Sequence, residues 1–424
     1  MLNSTINDSS IIKTYKSNYD DDLEKDQNGF LSETIYCELR EAINSTSIFD
    51  QDKSYLAQFN LCCAVIDRLE TCVRRLNQYG EYPKSEEDLL IFMMFACMAV
   101  DAVRKILEEM KVDIKSENFS TSNEENCYFA DVYKRSPIYN PEKAIPNDDK
   151  FFEYLRSLMF AHPFETSRAK FLRKDEKQYS PWVIASRPLR AFSRCSDSVG
   201  VRIYTNQTDE IIDLLVPFAL LKEYIKSRYE RLKMATKWVN KQIAIVQKKW
   251  EEYKVSRDNG AVDTMIEIDH ILSARHFDSY PCREAISLLK CAVTIDKNRK
   301  PVEIFRNAII AAIPELSDAV DNLDNGRVDG ILHSIFEYPD TMYNSANYHL
   351  SKIFAIQTDE IDEIDDNPII KKRIVSYADA FAGHFAKRWV TINAETMTYC
   401  EIRLLVRTAC YLERKKQLES KLSE

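Results

Sequence analysis

Arg156 and His162 are the two residues of this sequence whose types and spacing most directly indicate chemistry. They lie in the segment FFEYLRSLMFAH, where the histidine follows the arginine by six positions. On an α-helix that spacing puts the two side chains about 120° apart, on one broad side of the helix. An imidazole exchanges protons near pH 7, and a guanidinium binds phosphate oxygens as a fork. The pair is therefore a candidate for phosphodiester cleavage without a metal ion.

A basic stretch follows His162 and would attract a polyanion. Between positions 168 and 202 the local charge is +6, in a chain whose formal net charge is -9. Aromatic residues interleaved with the basic ones are suited to stacking on unpaired bases. The sequence thus predicts nucleic-acid contacts by Arg168, Lys170, Arg173, Lys174, Trp182, Arg187, Arg190, Arg194 and Arg202. The competing interpretation is a solvated surface, because charge runs mostly serve solubility.

Two other interpretations apply to the arginine and histidine pair. Short motifs recur by chance, and Arg327 and His333 repeat the same spacing later in the chain. His162 also continues the apolar face of its own predicted helix, which would make it a hydrogen-bonded core histidine. Glu267 and His270 have the spacing of half a di-iron site, but the second half is missing from the sequence.

Helices are the elements expected to position these residues, because glycine is scarce. Only 7 of the 424 residues are glycine, which disfavours β-meanders, Rossmann sheets and glycine-built phosphate loops. Apolar residues recur at helical spacing over 55–76 and 89–110, which predicts two long helices packed as an antiparallel hairpin. A third, shorter helix carries Arg156. Runs of β-branched and aromatic residues predict strands near 179–186 and 199–205, with a third near 210–216.

The predicted fold is mainly α, with an N-terminal helical bundle, a small β-hairpin insertion and a second all-helical domain. The polar, acidic residues 1–48 are expected to form a flexible arm, in which Ile35 to Ile43 have the pattern of a short helix. The bundle is assigned to residues 49–256, with the insertion at about 179–216. The stretch from Arg257 to Gly260 marks the domain boundary, and residues 261–424 form the second domain.

One long helix over residues 217–254 is expected to complete the bundle. It carries apolar residues at heptad spacing, and this face is longer than the hairpin that would cover it. The uncovered part predicts a homodimer.

Several classes of protein are disfavoured by features that the sequence lacks. The N-terminus has neither a basic start nor an apolar core, and no window of about 18 uncharged apolar residues occurs, so no membrane segment is expected. The 11 cysteines form no CxxC pair, and several sit in apolar helical patterns, as expected for reduced thiols of a cytoplasmic protein. No P-loop, HExxH or GxSxG motif is present. The sequence therefore predicts no cofactor and no metal ion.

The spacing of Arg156 and His162 inside a helical bundle resembles the RxxxxxH motif of the HEPN superfamily, many of whose members are metal-independent ribonucleases in defence and toxin systems. The resemblance covers at most residues 50–256, and Ser157 stands where the family usually has Asn, Asp or His. It implies an endoribonuclease or RNA-binding protein in which His162 is the general acid or base and Arg156 stabilises charge on the scissile phosphate.

The resemblance also implies a homodimer, because family members generally build the cleft from two such domains. The expected ligand is single-stranded RNA. The alternative is a non-catalytic helical interaction or scaffold protein whose long helix presents a surface to a partner protein.

Overall fold

The computed structural model describes residues 29–79, 83–112, 128–165, 176–185, 197–340, 342, 344–355 and 367–422. The chain divides into two compact units, Met1–Ile243 and Ala244–Glu424. Helices dominate both units, and the expected mainly α fold with a small β insertion is confirmed. Within the described ranges, no helix combines the length and the apolar character needed to cross a bilayer.

Among the described residues of the first unit, six α-helices precede the sheet. They are α1 (Thr34–Asn44), α2 (Ile48–Gln51), α3 (Leu56–Asn77), α4 (Glu86–Glu109), α5 (Ala130–Arg135) and α6 (Asp148–Arg156). Ser85 caps α4, because its side chain accepts a hydrogen bond from the Asp88 amide. The apolar faces of α3 and α4 pack against each other, as the predicted hairpin requires.

Helix α1 lies in the last part of the predicted arm, over the segment whose sequence has the pattern of a short helix, and it is packed into the first unit. Ile35, Tyr36, Leu39 and Ile43 recur at helical spacing and are all buried. Burial of this apolar face favours a folded helix, although the neighbouring residues in the sequence are polar. Residues 1–28 of the predicted arm lie outside the described residues.

The insertion is a three-stranded antiparallel sheet in the order β1 (Gln178–Ile184), β2 (Ser198–Thr205) and β3 (Ile212–Pro217). Alternate residues of β2, namely Val199, Val201 and Ile203, are buried, as in a sheet with one face on the core. Gly200 lies between Val199 and Val201, where a side chain would be directed to the other face of the sheet. A Cβ at this position would lie 1.8 Å from the Leu214 carbonyl oxygen. Only glycine fits that close approach of β2 and β3.

The single helix predicted over 217–254 is two helices, α7 (Phe218–Glu230) and α8 (Leu232–Trp250). They meet at Arg231, whose amide donates to the Arg228 carbonyl three residues back. No proline or glycine marks this turn, so the heptad pattern runs through it unchanged. The predicted heptad positions in α7 and the first part of α8 are already buried within one chain: Phe218, Leu221, Ile225, Leu232, Ala235 and Val239.

The second unit contains the end of α8 and a set of packed helices. These are α9 (Ala261–Ala274), α10 (Tyr280–Lys290), α11 (Asp296–Asp321), α12 (Asn325–Phe336), α13 (Asn344–Phe354), α14 (Pro368–His384) and α15 (Tyr399–Leu422), with a 3-10 turn at Ala386–Arg388. Its core joins apolar residues of α11 and α15 with those of the surrounding helices. The boundary between the two units, at Ile243 and Ala244, falls inside α8. Arg156 and His162 both belong to the first unit.

Candidate functional site

Helix α6 is held at its start by two side chains. The Asn147 side chain accepts a hydrogen bond from the Lys150 amide, which caps the helix. The buried Asp148 carboxylate accepts from the Tyr128 and Phe129 amides. Phe151 and Leu155 place the apolar face of α6 in the core, and Arg156 at the end of the helix is partly exposed.

A π turn follows α6 at Ser157–Ala161 and determines where His162 lies. The His162 amide donates to the Ser157 carbonyl over 2.8 Å, five residues back instead of four. His162 is exposed, and no described residue hydrogen-bonds to its imidazole. The interpretation of His162 as a core histidine was therefore wrong. The last buried residue of the π turn is Met159, three positions before the histidine.

Exposed aromatic rings lie near His162 along the chain and on the neighbouring sheet. Phe160 is 38% exposed and Phe164 is 82% exposed, each two positions from the histidine. The Pro163 carbonyl accepts a hydrogen bond from the Ser180 amide, which joins this segment to β1. Trp182, two positions further along β1, is 47% exposed. The segment around His162 thus presents stacking surfaces to solvent.

Trp182 and Arg202 are brought together by the pairing of β1 and β2. The Arg202 guanidinium carbon lies 5.5 Å from the centroid of the Trp182 ring. The same guanidinium donates to both Asp213 oxygens, over 2.7 and 2.9 Å, so its charge is neutralised within the sheet.

The other basic residues predicted to bind nucleic acid lie outside the described residues. They are Arg168, Lys170, Arg173 and Lys174, which follow Glu165 in the chain, and Arg187, Arg190 and Arg194, which belong to the connection between β1 and β2. The first basic stretch therefore continues the chain after the His162 segment. The second connects β1 and β2, which both contact the π turn before His162.

Arg156 contacts α4 and lines a cavity. One of its nitrogens, Nη1, is 3.2 Å from Asp101 Oδ2 on α4. Its guanidinium also adjoins Cys97, whose pKa burial raises to about 12 although the positive charge of Arg156 opposes that rise. Arg156 lines a cavity of about 220 Å³, and His162 is not among the lining residues. The structure does not bring the two members of the predicted pair into this cavity.

The cavity is lined by four arginines and four acids from α4, α6, α7 and the turn after α7: Arg104, Arg156, Arg228 and Arg231 with Asp101, Glu108, Asp149 and Glu153. Arg228 Nε donates to Asp149 Oδ1 over 2.6 Å, and the Tyr224 hydroxyl donates to the same oxygen over 2.8 Å. Burial alone would raise the pKa of Asp149, but Arg228 and Tyr224 outweigh it and hold the pKa below its usual value.

Sequence reasoning missed this group of charged residues. Its members come from helices far apart in the chain, and no motif spacing connects them. The available signal was Arg228, a charged residue that interrupts the apolar heptad seam and is only 9% exposed.

The second arginine and histidine pair is a surface feature of α12. Arg327 pairs with Glu315, and His333 is exposed, with its Nε2 3.9 Å from a Glu337 oxygen. Across the part of the chain that the structure describes, no group of three or more His, Cys, Asp or Glu residues is arranged to hold a metal ion.

Comparisons of this chain with protein-family models, with curated proteins and with solved structures find no match.

Proposed function

We propose that this protein is an HEPN-like, cytoplasmic RNA-binding protein that cleaves single-stranded RNA without a metal ion. One observation carries the proposal: His162 is an exposed histidine directly after a π turn, next to exposed aromatic rings and joined by the chain to two basic stretches. An exposed imidazole near neutral pH can take up and release a proton, which a buried core histidine cannot do readily.

In the proposed reaction the RNA 2′-hydroxyl attacks the adjacent phosphorus. His162 acts as general base towards this hydroxyl or as general acid towards the 5′-oxygen that leaves. The bond between phosphorus and the 5′-oxygen breaks, giving a 2′,3′-cyclic phosphate and a 5′-hydroxyl. The resemblance to the HEPN motif assigns Arg156 the role of stabilising charge on the phosphate. It would have to exchange Asp101 for the RNA phosphate to do so.

RNA binding is supported by the aromatic rings and by the basic stretches. Trp182 is exposed enough to stack on a base, and Phe164 is more exposed still. The homodimer is part of the proposal, since the resemblance implies a cleft built from two copies. Light scattering of the protein at tens of micromolar, with and without RNA, would show whether two copies associate.

The decisive experiment incubates the purified protein with single-stranded RNA and with DNA of the same sequence in excess chelator. We expect RNA products ending in 2′,3′-cyclic phosphate and intact DNA. His162→Ala should abolish cleavage, and Arg156→Ala should reduce it by about 100-fold. His333→Ala is the matched control, because this exposed histidine belongs to the other pair of the same spacing, and its cleavage rate should equal that of the unaltered protein.

RNA affinity is measured separately, so that binding and cleavage are tested apart. Trp182→Ala should weaken binding by about tenfold. Charge reversal at Arg187 and Arg190 should weaken it and flatten its dependence on salt. Unchanged cleavage in a folded double variant of Arg156 and His162, or no RNA affinity at low salt, would reject the proposal and leave the non-catalytic interaction protein.

A further inference from the structure

Among the arginines that line the cavity, Arg231 differs in forming no ion pair with an acid of the described residues. Arg104 and Arg156 each lie within 3.3 Å of a carboxylate oxygen, and Arg228 lies 2.6 Å from one. Among the described residues, none forms a hydrogen bond or an ion pair within 4.0 Å with the Arg231 side chain. The cavity therefore contains one guanidinium whose charge is not matched by direct contact.

The surroundings of Arg231 make its positive charge costly. Arg231 is partly buried at the turn between α7 and α8, and Arg228 carries a like charge three residues before it. Burial and the charge of Arg228 lower the pKa of Arg231, and Asp149 offsets only part of that effect. A desolvated charge without a partner is unfavourable, and a bound anion would remove the cost.

The rest of the lining limits what kind of anion fits. Val100, Val103, Leu107 and Phe152 give the cavity an apolar wall. Its volume of about 220 Å³ lies below the roughly 300 Å³ at which pockets for drug-sized ligands begin. The four acids of the lining would repel a molecule that carries several anionic groups. The fitting ligand is a small molecule with one anionic group and an apolar body.

We propose that this cavity binds a small molecule through one carboxylate or phosphate group paired with Arg231, while the apolar body of the molecule packs against α4 and Phe152. The fork of the guanidinium matches both anionic groups. Arg156 lines this cavity, whereas His162 does not, so the proposed anion site shares one residue with the proposed RNA site and is defined by Arg231 instead of His162. Its test needs no RNA.

The experiment titrates the full chain with benzoate, with phenyl phosphate and with benzyl alcohol, and follows binding by calorimetry. Benzoate and phenyl phosphate share an aromatic body and differ in the anionic group, so they distinguish the two chemistries. Benzyl alcohol has the same body without a charge and should not bind. Arg231→Gln should reduce the affinity of the bound anion by about tenfold or more.

Two variants serve as controls. Arg135→Gln removes an arginine of the same unit whose side chain is 83% exposed, and it should leave the affinity unchanged. Arg231→Lys keeps the charge without the fork and should bind with intermediate affinity. Binding of neither anion to the unaltered protein, or equal affinity in the Arg231→Gln variant, would overturn the proposal.

Thermal unfolding without ligand separates a binding residue from a structural one. Arg231→Gln should melt at the same temperature as the unaltered protein or higher, because it removes a charge that lacks a partner. The anion should raise the melting temperature of the unaltered protein more than that of the variant. A lower melting temperature in Arg231→Gln, together with an undiminished response to the anion, would mark Arg231 as structural.

Discussion

Each unit of the protein contains a cluster of arginines, and the two clusters are built differently. In the second unit, Arg403 and Arg407 share the buried Glu284, with nitrogen to oxygen distances of 2.8 and 3.0 Å. Phenylalanine and tyrosine rings cover them, and Arg407 lies 4.3 Å from the centroid of Phe354. In the first unit, the arginines surround a cavity of about 220 Å³.

The difference shows how arginine clusters separate into structural and binding groups. In the second unit, burial alone would lower the pKa of Arg403, but Glu284 raises it above its usual value. In the first unit the balance at Arg231 goes the other way, and its pKa is lowered. A guanidinium with a buried carboxylate and packed rings stabilises the fold, whereas one beside empty volume is available to a ligand.

Glu284→Gln should cause the largest change in stability. It leaves two buried guanidinium groups without a carboxylate, which should lower the free energy of unfolding by about 3–5 kcal/mol. Urea denaturation followed by circular dichroism measures the change. Glu315→Gln is the matched control, since this glutamate also pairs with an arginine but is 56% exposed; it should change stability by about 0.5 kcal/mol or less. Equal losses of stability from the two substitutions would contradict the assignment of the buried Glu284 cluster to the stability of the fold.

Arg228→Gln should have an intermediate effect. Arg228 is buried on Asp149, but Asp149 is 46% exposed, so solvent weakens the pair. We expect a loss of about 1–2 kcal/mol. Arg231→Gln, three residues away, should show no such loss, and urea denaturation of both variants tests this contrast directly.

The loss in Arg228→Gln should depend on pH in a defined direction. The folded-state pKa of Asp149 is lowered by Arg228, so the pair contributes fully above the unfolded-state pKa of about 3.9. That contribution disappears as the pH falls through the lower, folded-state pKa. The stability difference between the unaltered protein and Arg228→Gln should therefore be constant from pH 7 to pH 5 and shrink below pH 4. A difference that grew on acidification would contradict the assigned pair.

Two buried thiols should report the smallest difference between the clusters. Cys97 adjoins Arg156 and Cys410 adjoins Arg407, and burial raises the pKa of each to about 12. Both thiols should react slowly at pH 8, because little thiolate is present. Cys97 should nevertheless react faster than Cys410, since it is 6% exposed against 2% and adjoins Arg156, a residue of the cavity lining. Labelling with iodoacetamide followed by peptide mass spectrometry measures both rates, and faster labelling of Cys410 would reverse the comparison.

The periodic part of the fold was predictable from sequence, and the cavity was not. Helices α3 and α4 begin and end close to the predicted limits, because apolar spacing and the Ser85 cap are local signals. The break at Arg231 has no local signal, so two helices were predicted as one. Arg231 has no ion-pair partner among the residues that the structure describes, and this depends on how α4, α6 and α7 pack around the cavity.

The predicted site was only partly accessible to sequence reasoning. The motif picked out a histidine that the structure exposes, but it assigned Arg156 to the same phosphate on the basis of regular α-helical geometry. In the structure Arg156 donates a hydrogen bond to Asp101, 55 positions earlier in the chain. A contact at that separation is fixed by the packing of α6 on α4, which spacing within one helix does not encode.

The π turn at Ser157–Ala161 also has a consequence for sequence length. Such a turn is equivalent to one residue inserted into an α-helix, and each α-helical residue rotates the next part of the chain by about 100°. Deleting one residue within the turn should restore regular winding and carry His162 round towards the buried face that Leu155 and Leu158 occupy. Substitutions that preserve length would leave the imidazole in solvent. The number of residues between Arg156 and His162, more than their identity, therefore sets the direction in which the histidine points.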